Sequence, residues 1–597
     1  MASYVTRRSP GETGNKAPLI RGVAVAGLLI LTSCGPSPSA STRSGAPDGG
    51  APARPAERTL QIAVSAEPKS VAAGASPGSG TTVSTSIRLF NAMLDLVDDR
   101  GVARPYLAEA LPKLDTDTWQ VFPDGRMETR YTLKPDLAWH DGSTLSAEDF
   151  AFAWQVDSTP ELGINTVAPL NQIEDVVAQD GRTVVIRWRR LYPDAGVTQS
   201  GGHLVGLAPL PRHILEAPFR DAQADGRWDA FSANGFWTRD YIGLGPFRLA
   251  RWEPGSVIEG TAFEGHALGR PKIDRVRVTF VADGNAGLVV VMAGDVHIAM
   301  DQAIEFQQGL ELKRRWASTG AGSVISSAQA WTGMAVQFRP DLVTPRAVLD
   351  ARVRKALAHA LDEDEINQAV YEGEGIPAES VFPPSLEFYP LVERAITRYA
   401  HDVRTAEQLM VEAGFVKGAD GLFTGPDGRL SIDLRTSGGD RNEKERGAVA
   451  SVWRQGGFDI QESVLPAAQA QDGQARSTFP SLFHYSVGLS EASILGAFST
   501  PSIAGPGNRW AGNNRGGWSN PAYDRVLAAF QGTLKPDERM QQRVAMAQML
   551  SDELPSIPLA YRINSVAHVA ALSGVPRTSS PGSSGIFSWN VHDWDLR

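Results

Sequence analysis

The chain contains one cysteine, Cys34, and it stands where a short apolar run ends. That single residue restricts the fold. No internal disulfide and no cysteine-rich zinc cluster can staple a small core, so the long segment after it must be held by burial of apolar side chains. The run before it, Gly22 to Leu31 (GVAVAGLLIL), follows Arg7, Arg8, Lys16 and Arg21. It is too short to cross a bilayer and is built like the apolar stretch of an export signal.

Leu31-Thr32-Ser33-Cys34 resembles the lipobox of bacterial lipoproteins. The resemblance implies removal of residues 1–33 and acylation of Cys34, and two or more acyl chains anchor stably where one is marginal. Arg7-Arg8 lacks the surroundings of a twin-arginine signal. Residues 35–58 carry no large apolar side chain and cannot build a core, so 34–58 reads as a lipid-anchored tether. As a random coil, residues 35–58 span roughly 25–30 Å. The expectation is an exported body on the periplasmic or outer face of the cell envelope, bound to the membrane by lipid only.

That body belongs to a chain of 597 residues, 42% of them hydrophobic, which is enough for several cores. The formal charge of −10 argues against nucleic acid or an anionic membrane surface as a partner held by global charge. Alternation predicts strands at 59–65, 127–133, 183–189 and 275–281. A stripe of Ile87, Phe90, Met93 and Leu94 predicts a helix over 86–96. Further helices are predicted behind Asp350, behind Asn520-Pro521 and from Pro536 to before Pro555.

Catalytic patterns are mostly missing. There is no GxxxxGK[ST], no HExxH and no metal-spaced histidine pair, and Gly243-Leu244-Gly245 lacks the third glycine of a dinucleotide turn. Gly74-Ala75-Ser76-Pro77-Gly78 matches G-x-S-x-G on paper. The residue after such a serine must donate its backbone N–H to an oxyanion, and Pro77 has none. An exported serine hydrolase using Ser76 is therefore the weak alternative of another class.

Four separated stretches carry a family resemblance. WHDGSTLSAEDF (139–150), GLGPFRLARWEPG (243–255), DARVRKAL (350–357) and WSNPAYDRVL (518–527) resemble, in order, the blocks of family 5 extracellular solute-binding proteins. These are the dipeptide-, oligopeptide- and nickel-binding components of ABC importers. His140-Asp141-Gly142 reads as a turn and Ser146 with Asp149 as a capping box, so this block is expected to be a strand-to-helix corner and not a contact surface.

The resemblance implies an α/β, two-lobed periplasmic-binding-protein type II fold with an extra third domain in lobe one. It places lobe one at 59–85, 211–320 and 556–597, the extra domain at 86–210 and lobe two at 321–555. It implies a non-enzymatic, monomeric receptor without cofactor or metal, which captures peptides or similar polar solutes for permease subunits and their ATPases. A nickel-chelate receptor of the same fold, with His484 in its cleft segment, is the alternative. In relatives an aspartate of lobe two meets the ligand's amino terminus; the aligned residue here is Val487, with Glu491 nearby. Arg441 resembles the arginine that meets the ligand carboxylate. Glu67, Trp331 at the start of an expected lobe-two strand, Tyr485, Arg509 and Trp510 complete the candidate ligand contacts.

Overall fold

The computed structural model describes residues 57–73, 88–164, 168–200, 203–578 and 586–597. The apolar leader, Cys34, almost all of the tether and the Gly74–Gly78 loop with Ser76 lie outside them. Among the described residues no helix is long and apolar enough to cross a membrane.

Among the described residues the main sheet has 11 strands, ten on one hydrogen-bonded path and Ile376–Pro377 paired off it to Ser556–Val569. Along its hydrogen-bonded path lie Phe247–Glu253, Val257–Ala262, Arg275–Phe280, Thr59–Val64, Ile298–Ala299, Ser556–Val569, Gly322–Val336, Leu482–Gly488, Ser431–Ser437 and Asp459–Leu465. Thr59–Val64 is parallel to both neighbours, and Leu60, Ile62, Ala63 and Val64 are fully buried. A strand covered on both faces tolerates such a run.

Two strands are unusually long, Gly322–Val336 with 15 residues and Ser556–Val569 with 14. They pair antiparallel and connect the two strand groups. At one end His568 and Ala567 meet Ile298–Ala299; at the other Ala330–Val336 meets Leu482–Gly488. Each strand group has its own apolar cluster, one around Ile62, Phe90 and Phe247 and others around Leu357, Trp453, Tyr523 and Tyr561. The expected α/β two-lobed architecture is thus built on two shared strands. The ladder is irregular between Ala328 and Ala330, where Gln329 is left over. A bulge bends a strand and re-aims side chains, and this one sits where the sheet passes from one group to the other.

A separate antiparallel sheet of Trp119–Val121, Met127–Thr132, Thr183–Trp188 and Ile173–Ala178 forms the extra domain with the helix Ala147–Asp157. Tyr131, Trp139, Phe150 and Trp188 fill its core. The Ser146–Asp149 capping box is present, with the Ser146 N–H donating to Asp149 Oδ2 at 2.9 Å.

Two local expectations are corrected. The helix over 86–96 does not extend through the described part of that span: residues 88–90 are helical, Asn91–Met93 are irregular and Asp95–Val97 is a strand. The backbone there is used by other segments. Gly245 N–H donates to Phe90 O at 3.0 Å, and Leu94 O accepts from Tyr106 at 2.9 Å. The apolar stripe marked burial, not helicity. Trp331, expected to begin a strand, lies inside one that starts at Gly322.

Candidate functional site

The signature corner faces inward. His140 is 1% exposed, and its ring bonds Gly245 O at 3.0 Å and accepts from Gly243 N–H at 3.2 Å. Burial holds its pKa down at about 4, only partly offset by the Gly245 carbonyl. It is a neutral pin between two of the sequence blocks. Asp141 pairs with His213 at 2.8 Å.

The open space lies elsewhere, at the crossing strands. A cavity of about 450 Å³ is lined by Gln302, Ile304 and Glu305 from one side and by Gly488, Leu489, Ser490 and Ser493 from the other. Between them stand Gln329, Ala330, Arg441, Arg562, Ile563 and Asn564. Ala330 pairs with Gly488 on one side and with Arg562 on the other, so these three residues run in line across the sheet. A second cavity of about 410 Å³ also has Glu305 and Arg441 in its wall and continues past Asp283, Asn285 and Lys444.

Arg441 occupies the first turn of the helix Asp440–Gln455, behind Gly439 at φ 126°. A cation at a helix N-terminus opposes the helix dipole. Among the described residues no side chain forms a hydrogen bond or ion pair with its guanidinium or with the Glu305 carboxylate. Arg441 is therefore a half-buried positive charge without an internal counter-ion, on a cavity wall.

Arg562 is differently placed. Its Nη2 donates to Asn442 Oδ1 at 2.5 Å and to Glu445 Oε2 at 2.9 Å, and its Nη1 reaches Ser486 Oγ at 3.4 Å. Glu445 is fully buried, accepts from Tyr371 Oη at 2.8 Å and lies 2.9 Å from His484 Nε2. Burial alone would raise the Glu445 pKa, but His484 and Arg562 outweigh it and hold it at about 2. The carboxylate is ionised at any working pH.

The other sequence candidates fall in varied surroundings. Glu67 accepts from Trp252 Nε1 at 2.6 Å and from Gly255 N–H at 2.8 Å, so both oxygens are engaged by one hairpin. Trp331 and Tyr485 meet edge to face at 5.9 Å within an apolar cluster, and burial raises the Tyr485 pKa to about 12. Val487 pairs in register with Trp331 immediately before the lining residues Gly488–Ser490. Glu491 is held by Arg539 at 3.3 Å and Arg543 at 3.2 Å, and Arg539 also reaches Asp194 of the extra domain at 3.6 Å. Arg509 and Trp510 take left-handed conformations at φ 52° and 63°, in a loop whose Trp510 carbonyl lies against Gly473. His484 is 1% exposed and faces Glu445 and Thr436.

Of the candidates, then, Arg441 alone is on the cavity wall, while Glu305, Gln329 and Arg562 were not picked out from sequence. Arg562 did leave a trace, as the one arginine or lysine in the strand SIPLAYRINSVAHV. No group of three or more His, Cys, Asp or Glu able to hold a metal occurs among the described residues.

Comparison with known proteins agrees with this architecture. A putative ABC transporter peptide-binding protein of Brucella ovis is 27% identical over 301 residues, covering 50% of this chain and 51% of that protein. The chain thus spans about half the length of such curated relatives. The oligopeptide-binding protein of Thermus thermophilus, solved with a pentapeptide, matches 90% of this chain and 96% of its own with TM-score 0.65 and 21% identity. NikZ of Campylobacter jejuni, solved with Ni(L-His), matches 90% and 99% with TM-score 0.67 and 21% identity. At that identity the solved structures speak for the fold. The profile of the bacterial extracellular solute-binding proteins, family 5, matches residues 109–491, more than half of the chain, and the protein belongs to that family.

Proposed function

We propose that this protein is the substrate-binding lipoprotein of an ABC importer, which captures peptides or similar polar solutes between its lobes and delivers them to permease subunits. The observation that carries the reading is the uncompensated Arg441 on a polar cavity at the two crossing strands. An unpaired guanidinium matches a carboxylate in charge and in its forked geometry. Binding energy gained at the cleft shifts an open–closed equilibrium, and the importer reads the closed form. The lobe limits are read as above, 59–85, 211–320 and 556–597 against 321–555, with the extra domain at 86–210. Cys34 carries the lipid and the protein acts as a monomer without enzymatic activity.

The test is direct binding. A degenerate pentapeptide pool offered to the purified protein is retained at one peptide per chain in native mass spectrometry. Arg441→Gln lowers the affinity at least about ten-fold. Indifference of the wild-type protein to all peptides removes the peptide reading. Retention of nickel only when histidine is added as chelator favours the nickel-chelate alternative, which the likeness to NikZ supports.

A further inference from the structure

The two arginines of the cavity differ in their charge state as seen by a ligand. Arg441 has no counter-ion, whereas Arg562 is neutralised in place by Glu445. Glu445 is itself 0% exposed and gains further support from Tyr371 and His484. The Arg562 guanidinium is also fixed in position. Asn442 and Glu445 occupy Nη2, both from the helix that carries Arg441, and Nε is buried without a partner among the described residues. What remains of this cavity-lining residue is Nη1, whose one protein contact is the long bond to Ser486.

Arg562 also sits at a special point of the sheet. It lies in line with Ala330 and Gly488, beside the leftover residue Gln329. Neither Ala330 nor Gly488 projects a polar side chain, and Ala330 is paired to a strand on each side, so Arg562 is the side-chain donor on this line. A peptide lying over this line in the cavity would present backbone carbonyl oxygens to that donor.

We propose that the site divides recognition between the two arginines: Arg441 takes the ligand's negative charge, and Arg562 donates from Nη1 to an uncharged carbonyl oxygen of the ligand backbone. This rests on the peptide-type reading above and extends it to a residue and a ligand atom. A guanidinium already paired to a buried carboxylate gains little from a second anion, because Glu445 repels that anion through the same low-dielectric region. It remains a good donor to a neutral acceptor.

The experiment uses the pentapeptide pool in two forms, with free carboxyl termini and with amidated ones, against the wild-type chain and the variants Arg441→Gln, Arg562→Lys and Arg562→Gln. The wild type prefers the free acids. Arg441→Gln abolishes that preference. Arg562→Lys keeps a cation beside Glu445 but loses the fork, so it weakens both pools by the same factor, about five- to ten-fold, with the acid-to-amide ratio unchanged. Arg562→Gln does the same if thermal melting shows it folded, and Arg562→Lys carries the test if it is not. A ratio that collapses in Arg562→Lys means that Arg562 reads charge and overturns the inference. Affinities unchanged in Arg562→Lys make Arg562 purely structural and overturn it as well. A wild type that binds neither pool removes the peptide reading, and this inference falls with it.

Discussion

Two regions of this molecule bury polar side chains, and they do so for opposite ends. At the corner 139–150 the groups close on backbone. His140 bonds a carbonyl and an N–H of the 243–245 turn, is desolvated to neutrality and lines neither of the two cavities at the crossing strands. At the crossing strands Glu445 is buried against Arg562 and His484, this network ends on open space, and Arg441 stands on the same cavity unpaired. The more recognisable stretch of sequence is the scaffold. The binding candidate lies where the cost of buried ions is met on one side only and a cation is left over.

The comparison can be broken first at the scaffold. A Cβ on Gly245 would stand 2.3 Å from Asn91 N and from Phe90 C, backbone atoms that cannot move aside. Gly245→Ala is expected to cost more than about 4 kcal/mol or to prevent folding. Near-normal thermal unfolding of that variant would contradict the role given to this turn.

Next comes the network. Glu445→Ala leaves Arg562 and His484 facing an empty buried site and is expected to cost about 3–4 kcal/mol at pH 7. The proton linkage has the matching sign. The Glu445 pKa falls from 4.5 to about 2 on folding, so its stabilisation is full above pH 4.5 and is lost as pH falls through about 2. Denaturant titrations of wild type and Glu445→Gln converge at low pH if this holds; parallel curves down to pH 2 would sink it.

His140 sharpens the contrast because its window lies higher. Its pKa falls from 6.5 to about 4 on folding. The unfolded chain therefore takes up the proton first, and stability is intact above pH 6.5 and lost as pH falls through about 4, by on the order of 3 kcal/mol. His140→Gln should show a smaller loss than wild type between those pH values. A histidine NMR titration with an ordinary midpoint at this position would refute the assignment. The smallest effect belongs to Arg441→Gln, which breaks no internal pair and should move stability by less than about 0.5 kcal/mol while it weakens binding at least about ten-fold. A large drop in melting temperature for this variant would reveal a structural partner and weaken the reading of a free cation.

Much of the fold was legible. Strands at 59–64, 127–132, 183–188 and 275–280 follow the alternation, and the helices behind Asp350 and Asn520 start where their caps stand, each cap accepting from the next turn. The failure at 86–96 is instructive, since Asn91 donates from Nδ2 to Val71 O and accepts at Oδ1 from Ala73 N–H, contacts about twenty positions away that no local pattern announces. Of the candidate site residues, Arg441 lies on the wall of the cavity at the crossing strands, whereas Glu67 has both oxygens engaged by Trp252 and Gly255.

The sequence by itself determined what depends on neighbours in the chain: alternation, caps, turns, the single cysteine that forbids disulfide staples, and the order of family blocks. Only the tertiary structure decided which charges are spent. Arg441, Arg562 and Glu491 look alike in one dimension, yet one has no counter-ion, one is neutralised by Glu445 and one is held by Arg539 and Arg543. That difference arises because the energy of a charge depends on its partners and on the surrounding dielectric, and both are set by segments far apart in the chain.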